Sequence, residues 1–384
     1  MDIYLYLQLL ADRNGSDAFF SVDTEPRMTV EGIYHKIGSH KLSATDTREI
    51  AYSLMSDEQQ KIFESTMELN LAVNFKDLGR FRINFYRQRG DIAIVIRYIK
   101  NAIPSIEHLN LPAILKALIL EDRGLILVVG AAGSGKSTTL ASMIDYRNTT
   151  VASHILTIED PIEFLHAHKK SIVDQREIII DTLSFANALR NAMREAPNVI
   201  MIGEIRDQET MHHAMSYAES GHLCLSSLHA NNSNQALDRI INFFTESAHR
   251  QLFLDLSLHL RAIIGQRLII GVDGKRVPVV EIMINTPYIS DLIAKGSISE
   301  IKGVMEQNLD CGMMTFDHSL YLLFNEGKIT QDVAIHNADS PNNLALKIRL
   351  DAGGNISGSS DLHINKDSTF FDSFDGKEKS YPTR

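Results

Sequence analysis

The run Gly130–Ser137 reads "GAAGSGKS" and fits the spacing G-x-x-x-x-G-K-[ST]. Small residues at Gly130, Ala131, Ala132, Gly133, Ser134 and Gly135 allow a backbone to wrap closely around a phosphate and present its N–H groups. A helix starting at Lys136 adds the partial positive charge of its N-terminus. Lys136 supplies a point charge to β- and γ-phosphates, and Ser137 a hydroxyl to Mg²⁺, with Thr138 next in line. The pattern arises by composition in roughly one chain in a hundred of this length. The flanks "LILVV" and "TTLASMI" supply the strand before and the helix after that the motif requires.

Hydrolysis also needs carboxylates near the metal and the attacking water. "HILTIEDPIEF" places Glu159, Asp160 and Glu163 at the end of an apolar run, with Pro161 stopping the strand. "NVIMIGEIRD" leads four apolar residues to Gly203 and Glu204, the pattern of a Walker B strand with glutamate as its acid. We assign Glu163 as the base and Glu204 as organiser of the Mg²⁺ shell, although spacing alone leaves the roles interchangeable. Arg206 and Asp207 read as a structural ion pair. "GHLCLSSLHANNSNQALDRI" is an apolar strand, a polar tip and an amphipathic helix, with His229 at the tip. A histidine there is either a satisfied structural group or a sensor. His222 reads as structural or as a subunit-edge residue.

These groups need a scaffold whose strand ends converge. "LILVVG", "HILTIED", "NVIMIGE" and "HLCLSSLH" alternate with helical stretches such as "SFANALRNAMRE", the mark of βαβ units and a parallel sheet covered on both faces. In an open α/β sheet, ligands bind at the carboxyl ends of such strands. "MTVEGIYHKI" and "GRFRINFYRQRGDIAIVIRYI" predict a mixed or antiparallel sheet in the first hundred residues. The expected division is an N-terminal domain over 1–100, a linker over 101–112, a nucleotide-binding core over 113–270 and a mostly helical part over 271–351, with the pattern turning helical beyond Ser257. Residues 352–384, rich in Gly, Ser and Asp, read as a disordered tail, with Phe370, Phe371 and Phe374 as its only candidate docking groups.

The 384-residue chain has 38 basic and 48 acidic residues and a formal net charge of -10, which disfavours a general grip on nucleic acid. Its two cysteines, Cys224 and Cys311, are too few for a four-cysteine zinc site and point to a reducing compartment. "MDIYLYLQLLADRNG" reads as a first helix, since Asp2 stands where a signal peptide carries basic residues. No apolar run reaches the ~20 residues of a spanning helix, so a cytoplasmic protein is expected.

Cradle, acidic box, Walker B strand and histidine box in this order resemble the secretion-motor ATPase superfamily of type II secretion and type IV pili. "TIEDPIEF", "GEIRD" and "GMMTFDHSL" are closest to its PilT/PilU branch, and "SSLHANNSNQALDRIINFF" looks more like PilU. The similarity runs over roughly Met1 to Arg349. It implies an N-terminal PAS-like α+β domain, then a RecA-like P-loop ATPase domain with a mostly parallel sheet and a helical C-terminal extension. It further implies ATP and Mg²⁺ as ligands, a hexamer, and His229 as a sensor of the γ-phosphate. Arginines of the N-terminal domain reach that phosphate in this family. Arg82 and Arg97 match them best, Arg80 and Arg87 less well; Asp17 is retained in a family pattern only partly present after Gly15. The implied work is pilus retraction and twitching at the cytoplasmic face of the inner membrane, against a platform protein. Alternatives are an accessory subunit of a PilT-like motor, and an assembly or type II secretion ATPase, whose usual four-cysteine module is missing here.

Overall fold

The computed structural model describes residues 2–351 apart from 14, 31, 76, 100 and 101, and the backbone alone at 310. The tail 352–384, with its three phenylalanines, lies outside the described residues.

The N-terminal part opens with the expected helix, Ile3–Asp12. Its strands are β1 (Asp17–Phe20), β2 (Arg27–Val30), β3 (Ile33–Lys36), β4 (Glu68–Phe75), β5 (Gly79–Gln88) and β6 (Asp91–Ile99). They form one six-stranded sheet in the order β3-β2-β1-β6-β5-β4, antiparallel throughout. Two helices, Ala44–Ser53 and Asp57–Thr66, each start with a reciprocal capping box, Ser43 with Asp46 and Ser56 with Gln59. Alternation along β5 buries Phe81, Ile83 and Phe85 in a core with Leu7, Leu10, Phe63 and Ile94. The opposite face of β5 therefore carries Arg80, Arg82 and Asn84. Across the ladder Arg82 pairs in register with Arg97, so both arginines share that outer face.

The second part is a seven-stranded sheet of β7 (Gly124–Val129), β8 (His154–Glu159), β9 (Ile172–Glu177), β10 (Val199–Ile202), β11 (Leu223–Leu228), β12 (Leu260–Ile270) and β13 (Arg276–Ile284). Its order is β13-β12-β7-β11-β10-β8-β9. Every pair is parallel except β12 with β13. All of β7, β10 and β11 is buried, as strands covered on both faces must be. Alternate residues of β7 feed two separate apolar layers, Leu125, Leu127 and Val129 on one side, Ile126 and Val128 on the other.

One expectation is corrected here. The stretch beyond Ser257 is not simply helical: β12 and β13 form a hairpin that extends the core sheet. Ile- and Val-rich runs on both sides of "VDGK" carry the signal, a turn closed by Gly271 N–H donating to the Lys275 carbonyl at 2.8 Å. Helices predominate only after it, from Pro287–Lys295 to Pro341–Asp351. Strand β9 was also not foreseen, because "IVDQRE" is polar and sits at the sheet edge, where one-sided burial gives little apolar pattern. The segment 102–112 has no helix or strand, but Ile106 and Leu111 are buried in the core layer beside the helix Ile114–Ile119.

Because Phe81 is fully buried in the N-terminal core, Phe81→Ala should cost about 3–5 kcal/mol of that domain's stability. Urea unfolding followed by tyrosine fluorescence should show an earlier transition; an unchanged midpoint would mean this sheet does not pack as described.

Candidate functional site: a phosphate cradle facing an acidic loop

The cradle leaves β7 at Gly130 and enters the helix Lys136–Thr150. No side chain caps that helix, so its first N–H groups remain available to a ligand. Gly130 is required by contact: a Cβ there would meet the Gln266 carbonyl at 2.5 Å and the Ser134 hydroxyl at 2.3 Å. Gly135 is required by conformation, with φ of +90°. The hairpin braces the loop from behind, since Thr139 Oγ1 donates to Gln266 Oε1 at 2.6 Å and both residues are buried. Ser134 Oγ is buried without a hydrogen-bond partner among the described residues. A cradle with an uncapped helix, an orphaned hydroxyl and no room for a side chain at Gly130 or Gly135 fits a chain of phosphates.

Lys136 is buried, and its Nζ donates to the carbonyls of Gly130 and Ala131, both at 2.9 Å. Burial pulls its pKa down, and the carboxylates of Glu204 and Glu163 oppose that. Those two acids therefore face the lysine across one cleft of about 280 Å³. Its wall includes Ser137, Glu159, Asp160, Glu163, Glu204 and His229. Four strand ends supply them: β7 leads to the cradle, β8 to the acidic loop 160–166, β10 to Glu204 and β11 to His229.

Glu204 holds two partners. Its Oε1 lies 3.1 Å from His229 Nε2, and its Oε2 accepts from Arg206 Nε at 2.9 Å. Arg206 is thus paired with Glu204 rather than with Asp207. Asp207 instead caps the helix Gln208–Glu219 by accepting from the Thr210 N–H at 2.8 Å. His222 sits at the opposite end of β11 from the cleft, hydrogen-bonded to Ser220 at 3.1 Å, in keeping with a structural role. Cys224 is buried mid-strand, and burial raises its thiol pKa far above the ordinary range.

Glu159 is the one buried carboxyl of the acidic box, while Asp160 and Glu163 are exposed to the cleft. Burial raises its pKa to about 7, against hydrogen bonds from the Thr157 hydroxyl and the Gln175 amide. Those bonds are 2.7 and 3.2 Å long. Gln175 also donates to the Phe164 carbonyl at 2.9 Å and accepts from the His166 N–H at 2.8 Å, so β9 pins the acidic loop along its length.

The N-terminal arginines lie apart from the cleft in the single chain. Neither Arg82 nor Arg97 lines the cleft. Arg97 pairs with Asp17 at 2.8 Å within its own sheet, and Arg87 pairs with Glu64 at 2.7 Å. It is Arg80 that crosses to the core, reaching Glu177 at 2.8 Å. Sequence reasoning missed Gln175, Glu177, Gln266 and the buried Glu281, which accepts from both the N–H and the hydroxyl of Ser233 at the start of the helix after His229. None belongs to a motif; each acts through tertiary contact alone.

The cleft and the strand order define a P-loop ATPase core. A family model described as type II/IV secretion system protein matches residues 18–296. Type IV pilus ATPase PilU of Pseudomonas aeruginosa is 47% identical over 91% of this chain and 92% of that protein. Type IV pilus retraction ATPase PilT of the same organism is 38% identical over 89% of this chain and its whole length, 100%. The crystal structure of the pilus retraction motor PilT with bound ADP matches with a TM-score of 0.84 at 37% identity, over 90% of this chain and 99% of that one. The chain belongs to the type II/IV secretion system protein family, in its PilT/PilU branch of nucleotide-binding ATPases.

The raised pKa of Glu159 has a definite sign. Its folded value, about 7, lies above the ordinary 4.5, so the folded state holds the extra proton between those values. Stability is then full below pH 4.5 and is lost as pH rises through 7, by up to ~3 kcal/mol. Glu159→Gln should flatten this part of the stability–pH profile measured by urea unfolding. An unaltered slope would mean that Glu159 is not the buried acid.

Proposed function

We propose that this chain is an ATP-hydrolysing motor subunit of the type IV pilus machinery, a hexamer that powers pilus retraction and twitching motility from the cytoplasmic face of the inner membrane. The observation that carries the reading is the single cleft joining Lys136, Ser137, Glu163, Glu204 and His229. The kinship with PilU and PilT supports the choice of machinery. Among the described residues no helix is long and apolar enough to cross a membrane, so work on a pilus requires docking to a membrane platform protein.

In this reading the cradle N–H groups and Lys136 hold the phosphates, with Lys136 exchanging its two carbonyl partners for phosphate oxygens. The nucleoside extends to the other flank of the cradle, a cavity of about 650 Å³ beside Thr138 whose walls include Leu109, Leu268 and Pro278. Ser137 and Glu204, the latter partly through water, are the residues that would hold Mg²⁺. When bound, that ion neutralises charge on the β- and γ-phosphate oxygens. Glu163, exposed to the cleft, accepts the proton of the attacking water as the new P–O bond forms. The bond to the β-phosphate breaks, and ADP and phosphate result. His229 registers the γ-phosphate, and its motion passes to the loop 230–232 and the helix Ser233–Asn242. Arg82 and Arg97 stand on the N-terminal face outside the cleft of one chain. They reach the phosphates by closure of the two domains or from a neighbouring copy, where guanidinium charge stabilises the breaking bond.

A second reading has a specific footing. Because the PilU relative is 47% identical over 91% of this chain, an accessory ATPase that acts together with a PilT-like motor is the competing assignment. The test is ATPase rate against protein concentration, with particle mass measured alongside. A self-sufficient ring gains specific activity as hexamers form; an accessory subunit stays slow until a PilT-like protein is added.

Lys136→Ala should abolish ATP and ADP binding in calorimetry, and retained wild-type affinity would overturn the cradle assignment. Glu204→Gln should bind ATP yet turn it over about 10²-fold more slowly or worse; undiminished phosphate release would remove Glu204 from the chemistry.

A further inference from the structure

The two parts of the chain have separate apolar cores, one drawn from residues 3–98 and the others from residues beyond 105. Between them, among the described residues, one side-chain hydrogen bond or ion pair joins residues 2–99 to the rest: Arg80 to Glu177, at 2.8 Å. Both partners are well removed from solvent, with side-chain exposure of 20% and 6%.

The landing point is informative. Glu177 ends β9 and lies in register with Glu159, which ends β8. The acidic loop carrying Glu163 leaves from that same point. Burial raises the pKa of Glu177, and the charge of Arg80, the backbone of Ile162 one residue before Glu163 and the charge of Arg82 oppose that. The Ile178 N–H, next along, donates to the Glu159 carbonyl at 3.0 Å. Asp181 fixes Glu177 from the far side, accepting from its N–H at 2.8 Å. Gln175, two residues earlier on β9, holds Phe164 and His166. Thus the strand to which the N-terminal domain is tied is also the frame of the catalytic loop.

We propose that Arg80 and Glu177 form a positioning joint that couples the attitude of the N-terminal domain to the placement of Glu163. On β5, Arg80 and Arg82 share one face. A swing that brings Arg82 towards a bound phosphate therefore turns about Arg80 and pulls on the end of β9. The acidic loop feels that pull through Ile162 and the β8–β9 ladder. The joint converts domain closure into a set position of the base, so that water is activated only when the arginines have arrived. This rests on the ATPase reading above and adds the route by which the domains speak to the chemistry.

The test uses the full chain and four variants: Arg80→Gln, Glu177→Gln, the double variant, and the charge swap Arg80→Glu with Glu177→Arg. Each single change should lower kcat about ten-fold or more, as expected when a reacting group is displaced by an ångström or less, while KM for ATP and ADP affinity stay within about two-fold. The double variant should lose no more than the worse single, and the swap should recover a substantial part of kcat. Amide hydrogen exchange in residues 160–166 should quicken in Arg80→Gln. Because Glu177 is buried, its variants risk misfolding. Arg80→Gln, checked by an unchanged unfolding midpoint, carries the test by itself. An unchanged or raised kcat in folded Arg80→Gln, or losses that multiply in the double variant, would overturn the joint. A wild-type protein that hydrolyses no ATP at any concentration, alone or with a PilT-like partner, would overturn the ATPase reading instead.

Discussion

A buried ammonium group facing two carboxylates is the constraint around which the molecule is arranged. Lys136 gives up bulk water and is held by two backbone carbonyls. Desolvation works against its charge, and Glu163 and Glu204 work for it. Such a balance is tuned for a guest that is strongly anionic. Phosphate oxygens satisfy the lysine better than neutral carbonyls do, and they also meet the uncapped helix start and the glycine-lined turn. The same carboxylates repel a bare phosphate chain, which is why the proposed reading adds a divalent cation held at the Ser137 hydroxyl. Every other element is then answerable to one requirement, that four strand ends meet within a single cleft.

How that meeting is enforced differs from strand to strand. β7, β10 and β11 are set by burial: they lie in the middle of the sheet with apolar neighbours on both faces, and their polar tips emerge only where the sheet ends. The acidic loop is different. It follows β8, one strand from the edge, and apolar packing at its base is limited to residues such as Ile162. Side-chain polar bonds from β9 take over there, with Gln175 performing the task that packing performs elsewhere. Polar bonds are directional and individually modest. A loop held that way is more readily displaced than one anchored in the core, which suits a group that must be in place at one stage of a cycle and absent at another.

The parts legible in the sequence were those whose physics is local. The cradle is a run of small residues followed by Lys136 and Ser137, and its meaning does not depend on distant partners. Likewise β7, β8, β10 and β11 announce themselves as short apolar runs, and the carboxyl-end rule then places Glu163, Glu204 and His229 together from the sequence alone. What escaped was non-local. β12 and β13 were lost in an expected helical region, although the turn at Asp273–Gly274 flanked by Ile and Val carried the signal. β9 has no apolar alternation because only part of it is covered. The roles of Gln175 and Glu177 exist only once β9 lies beside β8. Arg82 and Arg97 matched a family pattern in sequence, yet in one chain their sheet turns Arg80, and not either of them, onto the core.

That last difference carries mechanical meaning. Two domains with independent apolar cores, tied among the described residues by a single partly buried ion pair, are free to rotate relative to one another at low cost in packing. Interfaces made of interlocked side chains resist such motion, because cores are close-packed and tolerate little sliding. An arginine–carboxylate tie keeps contact through a change of angle, since the guanidinium offers several donors to one acceptor. On the proposed joint, with that contact at the base of the loop bearing Glu163, rotation of the N-terminal domain and preparation of the attacking water are coupled. In the proposed cycle, ATP draws the outer-face arginines inward, the tie transmits the turn, and cleavage of the γ-phosphate removes the anion that held them. In that proposed cycle work is available for as long as the spent cleft prefers its carbonyl-bound lysine to the product phosphates.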